Sequence, residues 1–223
     1  MGRTGRLFQQ LWLYPVIAFA LITSACHTSP APSGARDVGT TAASENAGAH
    51  IDVMCISDRI NNPPETFHYS YKYADASGSV VKEADITPQT MDIVIQDHSG
   101  AHKYHGVRSD EASWSSAVLD LSSLSTTVMS ARLDSLNGTS AIVEQGAESI
   151  NGYSANRYAI DTKGANASDR NKFEALFGKG SFEKGTVWIG GDGCAVKLVL
   201  DEGVGQADGS MNQAHYEMAM IKK

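Results

Sequence analysis

The sequence predicts an α+β domain built on an antiparallel sheet, and three observations predict it. Two runs, Ile142–Ile150 and Ser154–Thr162, flank Asn151-Gly152. Asn-Gly between such runs marks a hairpin, because a type I′ turn needs positive φ at both central positions. A second pair, Gly185–Ile189 and Cys194–Leu200, flanks Gly190-Gly191-Asp192-Gly193. Its return strand puts Cys194, Val196, Leu198 and Leu200 on one face, with Ala195, Lys197 and Asp201 on the other. Between the hairpins lies a helical signal, Ser168 to Phe177.

The 223 residues divide into three parts by composition: 1–25, 26–50 and 51–223. In the first, Arg3 and Arg6 precede an apolar run from Leu11 to Ile22. That run falls short of the roughly 20 residues of a membrane span and has the anatomy of an export signal. Thr23-Ser24-Ala25-Cys26 follows it directly, and resembles the lipobox of bacterial lipoproteins. That resemblance implies cleavage before Cys26 and acylation of Cys26, including palmitate-type chains. Thr23 departs from the usual Leu or Val. The alternative is an ordinary signal cleaved after Ala25. Two or three acyl chains anchor stably where one does not, at about 0.8 kcal/mol per buried CH₂.

Residues 27–50 are rich in Ser, Thr, Ala, Gly and Pro. With almost nothing apolar to bury they cannot offset chain entropy, and the expectation is a disordered tether. A flexible coil of that length spans roughly 25–30 Å r.m.s..

Within 51–223, Ile51 to Ile60 reads as a short helix stopped by Pro63-Pro64, with a strand over Ile51–Ile56 as its competitor. Phe67, Tyr69, Tyr71 and Tyr73 alternate with His68, Ser70 and Lys72, which is the period of a strand. Gly78 turns the chain. Val80–Thr87 and Met91–Gln96 are strands split by Pro88, and His98-Ser99-Gly100 leads into Lys103–Arg108. The period then changes. Trp114, Val118, Leu121, Leu124 and Val128 mark one face of a long helix from Glu111 to about Leu136, capped by Ser109 and ended by Asn137-Gly138. Later, Ser168 caps Asp169–Phe177, with Phe173, Leu176 and Phe177 inward and Gly178 at C′. Glu202–Ser210 reads as a Gly-rich loop. Tyr216, Met218 and Met220 alternate through a last strand.

Helix, strands, long helix, hairpin, short helix, hairpin and final strand, behind a lipobox, make an order that resembles a known superfamily. It comprises the Lol-type periplasmic lipoprotein carriers and receptors and the LppX/LprG-like lipid-carrier lipoproteins of actinobacteria. The segment Ile150-Asn-Gly-Tyr-Ser-Ala-Asn-Arg-Tyr158 is similar to that family's turn and aromatic strand. Gly185-Thr-Val-Trp-Ile189, Asp192-Gly193 and Val196-Lys197 resemble its later hairpin. The resemblance implies an unclosed antiparallel half-barrel wrapped over helices, and binding of a lipid, an acyl chain or lipidated cargo. It carries no catalytic residues. Some members of this architecture bind protein partners around a filled interior.

The candidate residues follow. With Cys26 acylated, Cys55 and Cys194 remain, and an even remainder in an exported chain points to a disulfide rather than two buried thiols. Phe67, Tyr69, Tyr71 and Tyr73, with Trp114 and Trp188, either pack the core or line a ligand cavity. His98, His102 and His105 lie close in sequence, but flank a turn and alternate along a strand, so no metal site is expected. No G-x-S-x-G, H-E-x-x-H, P-loop, dinucleotide fingerprint or EF-hand loop is present. The expectation is a chain that is not an enzyme and takes no cofactor. Its net charge is −7 and its 18 Lys and Arg are scattered, which excludes a nucleic-acid footprint. The predicted location is the cell envelope, lipid-anchored and facing the periplasm or the outside, with a membrane and an envelope protein as partners.

Overall fold

Alternation of large apolar side chains runs through segment after segment between residues 67 and 222, and each segment becomes a strand. The computed structural model describes residues 51–52, 55–109, 114 and 132–223. All of them belong to the compact unit Ser44–Lys223. The leader, Cys26, the tether and most of the expected long helix lie outside the described residues.

Helix α1 (Cys55–Asn61) opens the domain. Ile56 and Ile60 are its buried residues, and Pro63-Pro64 follow its end. The competing strand is reduced to one bridge, Asp52 beside Cys194. Nine strands follow: β1 (Phe67–Asp75), β2 (Gly78–Ile86), β3 (Thr90–Asp97), β4 (Gly100–Val107), β5 (Ile142–Ile150), β6 (Tyr153–Asp161), β7 (Phe182–Gly190), β8 (Ala195–Gly205) and β9 (Met211–Lys222). Helix α2 (Ala167–Phe177) interrupts them. A helical turn at 132–136 precedes β5, and Asn137-Gly138 follows it.

The strands form one sheet in the order β4-β3-β2-β1-β9-β8-β7-β6-β5. Every pairing in it is antiparallel. The sheet is unclosed, with β4 and β5 as its two edges. Two meanders, β1–β4 and β5–β8, meet only through β9. One face carries the core: Phe67, Tyr69 and Tyr71 of β1, Met91, Ile93 and Ile95 of β3, Leu198 and Leu200 of β8, Met218 and Met220 of β9. Ile56 and Ile60 of α1, Trp114, Leu133 and Leu136 belong to the same buried cluster. The opposite face is polar, with cross-strand pairs such as His68–Asp85, Lys72–Glu217 and His215–Asp201.

Three expectations need correction. Asn166, not Ser168, caps α2: its Oδ1 accepts the Asp169 backbone N–H at 2.9 Å. Leu176 points outward and is 69% exposed, while Phe173 alone of the three is fully buried. Glu202–Ser210 is not all loop, because β8 continues to Gly205. A β-carbon on Gly203 would run into the Phe182 ring, and one on Gly205 into the Lys179 carbonyl. Those glycines therefore permit close approach within a strand rather than a flexible turn.

Candidate functional site

The alternation Val196, Leu198, Leu200 on the buried face of β8 runs on to Glu202 and Val204. On β7 the same parity brings Glu183 directly opposite Glu202. Two carboxyl groups thus face each other across a strand pair, both buried. Like charges in such a pair repel, and Arg132 of the 132–136 turn answers them. Its Nη1 lies 3.1 Å from Glu183 Oε1 and 2.7 Å from Glu202 Oε2. The guanidinium also stacks 4.9 Å from the Phe177 ring centre.

The Tyr216 hydroxyl donates to Glu202 Oε1 at 2.9 Å. Its ring centre lies 5.0 Å from that of Tyr73, and the Tyr73 hydroxyl donates to Asp75 Oδ2 at 2.6 Å. Glu183 Oε2 is buried with no hydrogen-bond partner among the described residues. Burial pushes the Glu183 carboxyl up to about 7, against the pull of Arg132. Burial, with Asp75 beside it, raises Tyr73 to about 12. Donation from Ser77, then from Tyr73, holds Asp75 down at about 2.

Tyr73, Asp75 and Glu202 of this cluster also line a cleft of about 450 Å³, together with Val204, Gln206, Met211 and their neighbours. Val204 and Met211 supply apolar wall, and Tyr73 an aromatic one. Among the described residues the cleft walls include no Lys or Arg.

Of the aromatic residues singled out as ligand-binding, only Tyr73 reaches the cleft. Phe67, Tyr69 and Tyr71 are 1%, 6% and 4% exposed and pack in the core. Burial raises the Tyr69 phenol, with no titratable function following from it. Trp114 is buried too, its indole N–H donating to the Ile60 carbonyl at 3.0 Å. Trp188 stands apart from all of these. Its register partners are Arg157 and Lys197 on the polar face, Lys197 Nζ lies 4.7 Å from its ring centre, and its indole N–H donates to Glu148. It belongs to no common lining because odd and even positions of β7 face opposite ways.

Cys55 and Cys194 form a disulfide, which ties α1 to the start of β8. Arg59 pairs with Asp192 in the same turn, and the Asp52 N–H donates to the Gly193 carbonyl at 3.2 Å. His102 and His105 lie on opposite faces of β4, against Asp97 and Asp92 respectively. No group of three His, Cys, Asp or Glu among the described residues converges to hold a metal.

Arg132, Glu183, Glu202 and Tyr216 escape a motif search because they come from four separate segments. The legible signal was an acid at an inward parity: Glu202 continues the apolar run of β8 two residues beyond Leu200.

No protein-family model matches the chain, and no curated protein matches it significantly. Among solved structures it is similar to MucB in complex with MucA(peri), at 11% identity and a TM-score of 0.33, over 78% of this chain and 56% of that one. The chain thus spans little more than half of that MucB chain. It is also similar to LprF from Mycobacterium bovis, at 12% identity and a TM-score of 0.30, over 75% of this chain and 90% of that one.

Proposed function

We propose that this chain is an envelope lipoprotein, anchored through acyl chains on Cys26, whose domain is an unclosed half-barrel over helices. It holds an apolar or amphiphilic ligand, a lipid or lipidated cargo, in the cleft and makes or breaks no bonds. The observation that carries this reading is the cleft of about 450 Å³, walled by Tyr73, Val204 and Met211 beside a continuous apolar core. Ligand sites commonly run to several hundred cubic ångströms, mostly apolar with a few polar groups that orient the guest. Lipid extraction of the purified full chain, followed by mass spectrometry, tests it. A stoichiometric amphiphile is expected in the wild type and absent from Val204→Trp, which fills the cleft. A folded wild type that releases no lipid and takes up none on incubation overturns it.

A second reading, an interaction lipoprotein with a filled interior, has its own support. Phe67, Tyr69 and Tyr71 are buried in the core. Covalent crosslinking in whole envelopes distinguishes the two: a defined protein adduct with no bound lipid favours the second.

A further inference from the structure

The buried cluster that adjoins the cleft is one positive charge short. Glu183 and Glu202 share one guanidinium, and Glu183 Oε2 has no partner among the described residues. Groups facing Glu183 come from three elements: Arg132 from the 132–136 turn, Glu202 from β8, and Thr162 after β6, whose hydroxyl accepts the Glu183 backbone N–H at 2.8 Å. Only one of them is basic. Glu202 belongs both to this cluster and to the cleft wall. Among the described residues the wall offers carboxyl oxygens, a tyrosine ring, the Met211 thioether and the neutral side chains of Ser77, Gln206, Asn212 and Gln213, and no basic side chain. Carboxylates, aromatic faces and soft sulfur suit an organic cation, and a phosphate or sulfate there would meet the Asp75 and Glu202 carboxyls with only neutral donors to offset them.

We propose that the cleft selects amphiphiles with a cationic head, an ammonium or amine that seats beside Glu202 and supplies the charge the cluster lacks. This rests on the cleft being a ligand site. With the head on Glu202, Arg132 is left to Glu183, whose carboxyl then gives its proton to the buffer. Binding is therefore coupled to proton release and strengthens as pH rises.

The test uses decyltrimethylammonium and decyl sulfate, equal in tail and opposite in head, titrated calorimetrically into the purified full chain below their micelle concentrations. The expected result is binding of the cation at least about tenfold tighter than the sulfate near pH 8. That advantage falls several-fold near pH 6. Proton release appears as a heat that differs between two buffers of unlike ionisation enthalpy, which needs no variant. Glu183→Gln, which leaves Arg132 to Glu202, reduces the preference and loses its pH dependence, Glu202→Gln loses the preference, and Val204→Trp loses binding. Equal affinities for the two heads overturn the selectivity and leave the cleft reading standing, whereas a preference that survives Val204→Trp puts the bound cation outside the cleft and overturns both. Binding of neither probe overturns both.

Discussion

Glu183 is fully buried and has half a guanidinium to pair with, and its pH behaviour follows. Its carboxyl sits near 7 in the folded chain, against about 4.3 in an unfolded one. A raised pKa favours folding while the group is protonated. That contribution is complete below the unfolded value and is lost as pH rises towards 7, and over the window it amounts to about 4 kcal/mol. Urea unfolding at several pH values should therefore show stability falling between roughly pH 4.5 and pH 7, and Glu183→Gln should flatten the slope. A second residue has no such latitude. Gly185 faces Leu200 across β7 and β8, and a β-carbon there would collide with the Val199 carbonyl. Gly185→Ala should cost about 2–4 kcal/mol, since backbone must move, and thermal melting would show it. The first residue was readable in principle from parity. The second was not, because only the packed pair of strands reveals what a methyl would strike.

At the scale of elements, local chemistry carried most of the reading. The Asn151-Gly152 turn has φ of 55° and 82° at its two centres, as a type I′ turn requires. Asn151→Ala should destabilise by about 1 kcal/mol, because alanine pays for left-handed backbone that asparagine tolerates. Denaturant midpoints would measure it. Period-two aromatics placed β1, and Pro63-Pro64 placed the end of α1. Where tertiary contacts decide, sequence fell short. Asn166 outcompetes Ser168 as cap because its side chain also donates to Ser140 Oγ at 2.8 Å and to Asp169 at 2.9 Å. Trp188 reads as a cavity aromatic until its strand partners place it on the polar face with Lys197 and Glu148.

At the scale of the whole molecule, the disulfide joins residues 139 positions apart. Chain-entropy arguments set its contribution at up to about 5 kcal/mol. Reduction should lower the melting temperature by many degrees, and hydrogen exchange should rise first in α1 and the 190–194 turn, which the bond holds together. The cleft needs the same scale to be seen: Tyr73, Arg132, Glu183 and Glu202 converge only once the sheet has brought β1 and β9 beside β8. No window of sequence contains that geometry, although each strand in it was legible alone.

The position of β9 has a temporal consequence. It lies between β1 and β8, so Phe67 finds its partner in Lys222, and Tyr73 finds Tyr216. A chain made from its N-terminus must keep β1 waiting, with one flank bare, until almost all of the domain has been synthesised. A stop between residues 205 and 211 would leave the meanders β1–β4 and β5–β8 without the strand that joins them.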